Sequence, residues 1–261
     1  MNKQFALILV MISLLAIYVN FQHYIGFVEQ YKLLSDKNSI LKYDDVFEIK
    51  EYLPNITATT IPIYESKMLY FLSSKKRINI DSLKAKVLNY SSPNPYLGLK
   101  DRIIAELYLR EGNNDSARYF FREAFLKLPN NQIYNTNYFN LLADIKDSIS
   151  LKKAFSKVKR PAKITLKNYI NNSMRVLGYN NTYVNYLIDS LLTVYPKDEE
   201  IKELSIINKI GHSFYKKSQL EEVLAQKDFE KEDYKSAVKG FLKVNELNPL
   251  NPIAFENLAI S

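Results

Sequence analysis

Apolar residues recur at intervals of three and four positions through most of the chain after residue 62, with charged and amide side chains between them. This spacing places the apolar side chains on one face of a helix, and no convincing alternation of the kind that marks a strand is found. Pro, Gly and Asn interrupt the pattern and mark turns. The pattern predicts an all-α protein with helices at 63–76, 80–90, 96–110, 115–128, 133–145, 149–158, 163–177, 182–194, 199–216, 218–231 and 234–246.

The N-terminal segment is more apolar than the rest of the chain. Phe5–Val19 is an apolar run that contains Ser13 as its one small polar residue, but fifteen residues of helix reach only ~22 Å, short of the ~30 Å hydrocarbon core. Apolar residues continue at lower density to Val28, and a helix that extends to Val28 would cross a bilayer. We therefore predict a retained membrane anchor over residues 1–28.

A cleaved signal peptide is the main alternative, and it needs small residues one and three positions before the cleavage site. Ala16 is followed by bulky Tyr18, and Gly26 is preceded by Tyr24, so neither position offers a good site. A buried core helix, or one span of a larger assembly, is the third interpretation.

Residues 29–62 predict a juxtamembrane helix and then a linker between Pro54 and Pro62, where prolines and threonines disfavour helix. Lys3 precedes the apolar run, whereas Lys32, Lys37 and Lys42 follow it. A count of basic residues thus does not favour translocation of the C-terminal part, but long domains translocate largely regardless of charge. We expect residues 63–261 to lie outside the cytoplasm, with a cytoplasmic location as the alternative.

Composition narrows the chemistry that the chain can perform. The 261 residues are 47% hydrophobic and 25% charged, which is the balance of a folded protein. Cysteine is absent, which excludes disulfides, thiolate metal sites and cysteine nucleophiles. The sequence lacks the glycine-rich phosphate-binding motifs, GxSxG and HExxH, and its two histidines are His23 and His212. We predict no enzymatic activity, no cofactor and no metal.

Two stretches resemble the tetratricopeptide repeat, a helix hairpin of about 34 residues. In residues 98–129, Ala105 and Tyr108 take the small and aromatic positions of the first helix. The matching residues of the second helix are Ala117, Phe121, Ala124 and the terminating Pro129. In residues 218–249 the matching residues are Ala225, Phe229, Tyr234, Ala237, Phe241 and Pro249, whereas Asp228 and Val244 depart from the pattern.

A third, incomplete unit begins at Pro252, with Phe255, Leu258 and Ala259 at first-helix positions. We expect either that the protein continues past Ser261 or that a partner covers this end. Residues 132–217 match the repeat weakly. Pro129 and Pro249 are 120 residues apart, which is not a multiple of 34, so the middle repeats are expected to be irregular or to carry an insertion.

The resemblance implies a right-handed solenoid of stacked antiparallel helix pairs over residues 63–261, and generic helical hairpins are the alternative. In tetratricopeptide proteins the first helices line a groove that holds protein or peptide partners. The resemblance therefore implies groove residues Leu99, Arg102, Glu106, Leu109 and Arg110 in one unit and Gln219, Glu222, Gln226, Phe229 and Glu230 in the other. An empty, solvated face is the alternative.

The net charge of +8 is concentrated in one window. Residues 148–188 contain no Asp or Glu, and their eight basic residues account for the whole net charge. The anion-binding candidates are Lys152, Lys153, Lys157, Lys159, Arg160, Lys163 and Lys167. The anion would be a lipid head group, an acidic glycan or an acidic protein, with nucleic acid least favoured, and a solvated face is the alternative. Helical spacing favours core packing over base or sugar stacking for Tyr169, Tyr179, Tyr183 and Tyr186.

These features together predict a membrane-tethered scaffold that binds protein partners at the bacterial envelope. The alternative is an accessory module of surface polysaccharide assembly or export that binds an anionic glycan. An enzyme would need a catalytic domain beyond Ser261.

Overall fold

The structure, a computed structural model, describes residues 3–35, 61–73 and 79–260. Within these ranges the chain forms thirteen α-helices and no strand, so the all-α prediction is confirmed. The helices are α1 Lys3–Ser35, α2 Ile63–Ser73, α3 Ile80–Asn89, α4 Leu99–Arg110, α5 Asn114–Lys127, α6 Gln132–Asp144, α7 Ser148–Phe155, α8 Lys163–Leu177, α9 Thr182–Val194, α10 Glu199–Ile210, α11 His212–Glu230, α12 Tyr234–Leu247 and α13 Pro252–Ile260. Most of the predicted linker lies outside the described residues.

The helix bounds agree closely with the predictions, except at one junction. The predicted break at residue 217 is wrong, because α10 ends at Ile210 and α11 begins at His212. Gly211 separates them with φ 87°, a backbone conformation that favours glycine. Helix α7 also ends three residues before its predicted limit, at Phe155.

Helix α1 contains the apolar run. Within its residues Gln4–Val28, the most apolar 18-residue stretch has a mean hydropathy of 2.2, and none of that stretch is buried against the other described residues. A helix of 25 residues extends about 37 Å, which is enough to cross the ~30 Å hydrocarbon core. The structure thus has one helix long and apolar enough to span a membrane.

The chain divides into two compact units, residues 1–138 and 139–261. In the first unit, α2–α4 bury Ile63, Met68, Phe71, Leu83 and Ile103 in one core. The end of α1 packs on this unit: a Cβ built on Gly26 would lie 3.4 Å from Ile63 Cδ1.

The described residues of the second unit include two apolar clusters built from its later helices. The larger is built from α8, α9 and α10, with Ile170, Val184, Ile188, Ile201 and Leu204 at its centre. The smaller joins α11 to α12 through Ala225, Ala237 and Phe241, and Leu258 of α13 packs against it.

One turn recurs between helices that form a hairpin. It joins α4 to α5, α6 to α7 and α11 to α12, and each copy has a residue at positive φ followed by an N-cap. The N-caps are Asn113, Asp147 and Asp233, and the positive-φ residues before them are Gly112, Lys146 and Glu232. In each copy the N-cap side chain accepts a hydrogen bond from a serine N–H three residues later (3.0, 2.9 and 3.2 Å).

The spacing of these N-caps reveals a period that the sequence motif shows only in part. Asn113 and Asp147 are 34 residues apart, and Asn181, which caps α9 after Asn180 at positive φ, is another 34 residues on. Asp233 follows after 52 residues, 18 more than one period, and α10 lies in that interval. The irregular middle predicted from the proline spacing thus consists of two hairpins on a 34-residue period and one additional helix.

Candidate interaction surfaces

The basic window is partly neutralised by carboxylates from outside it. Lys163 pairs with Asp198, Lys167 with Glu200, and Arg175 with Asp144. The hydrogen bond from Lys163 lowers the pKa of the Asp198 carboxyl, which keeps this partner ionised. Lys163 and Lys167 thus have acidic partners at the start of α10, with which an anion would have to compete, and their role in anion binding stays a prediction.

The remaining candidate cations lie on α7 and in the turn that follows it. Lys152, Lys153, Lys157, Lys159 and Arg160 are exposed. Among the described residues, Lys152, Lys153 and Lys157 have no carboxylate partner. The candidate cations without a carboxylate partner thus lie on one short helix and in the turn that follows it.

A cleft of about 370 Å³ opens between α7, α8 and α9 beside these lysines. It is lined by Ser148, Ile149, Leu151, Lys152, Tyr169, Ser173, Leu177, Asn181 and Tyr183. Lys152 Nζ lies 5.2 Å from the ring centroid of Tyr183, and the hydroxyl oxygens of Tyr169 and Tyr183 are 3.1 Å apart. The cleft thus combines apolar walls with one cation and a pair of phenols.

The four tyrosines of the basic window have different environments. Tyr169 is buried and stacks on Phe155 with a centroid distance of 3.8 Å, so its predicted core packing is confirmed. Tyr183 is half-buried at the cleft, whereas Tyr179 and Tyr186 are exposed, and the prediction of core packing is wrong for these two.

The groove residues predicted on α4 are largely engaged in internal contacts. Leu99 is only 6% exposed and belongs to the core, so it offers no binding surface. Arg102 pairs with Glu106 at 2.8 Å, and Arg110 donates a hydrogen bond to the Leu72 carbonyl oxygen at the end of α2. Only Leu109 presents exposed apolar surface. Sequence reasoning assigned this face to a partner because it could not place α2 beside α4.

The groove residues predicted on α11 do come together. Gln219, Glu222, Gln226 and Glu230 line an open concavity of about 590 Å³, together with Val223 and Lys227. Phe229 is the exception, because it packs against the α11–α12 cluster and lies edge-on to Tyr234 at 5.5 Å. Four of the five side chains therefore share one surface.

An exposed apolar stripe on α11, which the sequence reading did not single out, accompanies this concavity. Leu220, Val223 and Leu224 are 62%, 53% and 47% exposed, and their spacing places them on one side of the helix. The buried side is formed by Ser218 and Ala225. The signal was present in the sequence, since apolar residues occupy more of this helix surface than one buried face requires.

Comparison of the chain with protein-family models, curated proteins and solved structures finds no match. The resemblance to tetratricopeptide repeats therefore stays a prediction that rests on the residues themselves.

The described residues contain no cluster of three or more His, Asp or Glu side chains arranged to hold a metal ion. Burial raises the pKa of the Glu65 carboxyl in α2. Its neighbours in the first unit include Ser92 and Asp101, and no nucleophile motif accompanies them.

Proposed function

We propose that this protein is a membrane-tethered scaffold whose helix hairpins, arranged as in tetratricopeptide proteins, bind protein partners at the cell envelope. The observation that carries the proposal is the surface of α11, where the stripe Leu220–Val223–Leu224 adjoins the concavity lined by Gln219, Glu222, Gln226 and Glu230. We call this the α11 surface.

The α11 surface has the two components of a protein-binding site. Contiguous exposed apolar side chains are costly in water and commonly mark interaction sites. Amide and carboxylate groups beside them supply hydrogen bonds that orient a peptide. Glu222 is held by a hydrogen bond from the Asn251 amide (2.7 Å) and Glu221 by an ion pair with Lys243 (2.5 Å). These contacts fix the edge of the surface in place before a partner arrives.

The tether assigned to α1 would keep this surface near the bilayer. Its exposed apolar side chains, from Phe5 to Phe27, would be stabilised by lipid at about 25 cal/mol per Å² of apolar surface removed from water. Orientation of residues 63–261 toward the outside of the cytoplasm is part of the proposal, supported by the tendency of long domains to translocate regardless of flanking charge.

Photo-crosslinking in cells tests the protein-binding proposal. A photoreactive phenylalanine analogue at Val223 is expected to give discrete adducts, whereas the same group at exposed Lys239 on α12 serves as the matched control. Leu220→Asp with Leu224→Asp should remove the Val223 adducts, since both changes place charge in the apolar stripe. Identical adducts from both positions, or adducts that persist in the double variant, would contradict the proposal.

Binding of an anionic glycan is the second candidate function, and the exposed lysines of α7 and of the turn that follows it favour it. Lys152, Lys153 and Lys157 present positive charge without carboxylate partners among the described residues. If this function holds, changing all three to Ser abolishes salt-sensitive retention on an acidic polysaccharide and leaves the Val223 adducts intact. Unchanged retention would rule the glycan function out.

A further inference from the structure

Apart from Lys152, which the glycan function also uses, the cleft between α7, α8 and α9 has features that neither proposed function requires. Its volume of about 370 Å³ falls within the range of small-molecule sites, about 300–1,000 Å³. Its walls are mainly apolar and include Ile149, Leu151 and Leu177. It lies within the second unit and shares no residue with the α11 surface.

Besides Lys152 and the Asn181 side chain, which caps α9, the polar groups of the cleft are hydroxyls that can donate. The oxygens of Tyr169 and Tyr183 are 3.1 Å apart, so one phenol donates to the other. The Ser173 hydroxyl donates to Tyr169, which leaves one phenolic proton available. Burial raises the pKa of Tyr169, which keeps this phenol protonated well above neutral pH. Ser148 and Ser173 line the same cleft.

The cleft also has a single cation on its wall. Lys152 Nζ lies 5.2 Å from the ring centroid of Tyr183 and has no carboxylate partner among the described residues. The surrounding window, residues 148–188, contains no Asp or Glu, so the local potential is positive. A charged group beside apolar walls attracts a ligand with the opposite charge and an apolar body.

We infer that this cleft binds a small amphipathic anion, namely an apolar ring or short chain that carries one carboxylate, sulfonate or phosphate group. The apolar body packs against Ile149, Leu151 and Leu177. The anionic group receives hydrogen bonds from Lys152 Nζ and from the available phenol.

Titration calorimetry with 1-naphthalenesulfonate tests this site, with the full chain in phosphatidylcholine nanodiscs and empty discs as the reference. Lys152→Met should weaken binding about tenfold, the usual effect of losing a charge-assisted hydrogen bond. Lys153→Met is the matched control, because it removes the same charge from the same helix outside the cleft. The uncharged 1-naphthalenesulfonamide should bind the unmodified chain and Lys152→Met equally.

A second variant separates the cleft from general surface electrostatics. Leu177→Trp fills the cleft and should abolish binding of both probes while the circular dichroism spectrum stays unchanged. Equal weakening by Lys152→Met and Lys153→Met, binding that survives Leu177→Trp, or no binding to the unmodified chain would each overturn the inference. Displacement of the probe by phosphatidylglycerol in the discs would support a lipid as the anion, and its retention would support a soluble ligand.

Discussion

At the scale of single residues, helices approach each other where side chains are small. Ala105, Ala117 and Ala124 are at most 1% exposed, as the repeat resemblance requires. In the α11–α12 hairpin the two helices approach closely at Gly240, because a Cβ built there would lie 2.6 Å from Ala225 Cβ. Sequence reasoning identified Ala225 but not Gly240, since a glycine within a helix does not by itself reveal which helix it faces.

Replacing Gly240 with Ala is therefore expected to destabilise the protein. Ala would improve helix propensity by about 1 kcal/mol, but the steric conflict with Ala225 is expected to outweigh this, since overpacking typically costs about 1–3 kcal/mol. Thermal unfolding of the full chain, followed by circular dichroism, measures the result. Adding Ala225→Gly should recover part of the loss, because it removes the conflicting Cβ. If Gly240→Ala alone were more stable than the unmodified chain, α11 and α12 could move apart without a cost in stability, which would contradict this prediction.

At the scale of helices and turns, the recurrent hairpin turn depends on backbone conformation as much as on side chains. Its first copy has Gly112 at positive φ, whereas the other two have Lys146 and Glu232 there. An L-residue with a Cβ is strained in this region by about 1–2 kcal/mol. The N-caps that follow offset this strain by satisfying N–H groups at the start of the second helix.

Glu232→Gly is expected to stabilise the protein by about 1 kcal/mol, because glycine adopts the left-handed conformation without steric strain. Lys239→Gly is the matched control, because a glycine introduced inside α12 should destabilise the protein by about 1 kcal/mol. Chemical denaturation of both variants measures the two effects. If Glu232→Gly lowers stability as much as the control does, the turn does not have the conformation described.

At the scale of the whole molecule, one feature is an apolar helix whose surface the other described residues do not cover. The most apolar part of Gln4–Val28 is not buried, whereas the helices of the two compact units bury one face. A core helix of a soluble protein would be mostly covered. The exposed surface of α1 therefore favours the anchor over the buried-helix interpretation.

Placing Arg at both Ile12 and Leu15 is expected to prevent membrane integration, since each charge near the centre of a span costs about 2.5–3.5 kcal/mol. Alkaline extraction of membranes should release this variant and retain the unmodified chain. Arg at Tyr119 and Ile133, which are exposed outside α1, should leave retention unchanged. The intact mass of the retained chain distinguishes an anchor from a signal peptide, because cleavage would remove the N-terminal segment.

The fold class and most helix bounds could be predicted because they depend on neighbours within a few residues. Helices α8 and α9 begin and end at the predicted residues, where N-caps and glycine mark the limits. The predicted break lies at residue 217 and not at Gly211, because the apolar pattern continues past this glycine and so conflicts with the break that a glycine indicates. The candidate site was predicted less well: four α11 residues share a surface, but Leu99 does not belong to one.

By itself, then, the sequence determined the apolar N-terminal helix, the helical hairpins and the small residues at their contacts, since periodicity, capping and propensity act locally. Only the tertiary structure decided which charges and faces remain available. Asp198, Glu200 and Asp144 neutralise cations 31 to 35 residues away, and the end of α2 occupies Arg110 on α4. These contacts join residues far apart in the chain, and folding brings them together through burial of apolar faces, whose partners no local pattern specifies.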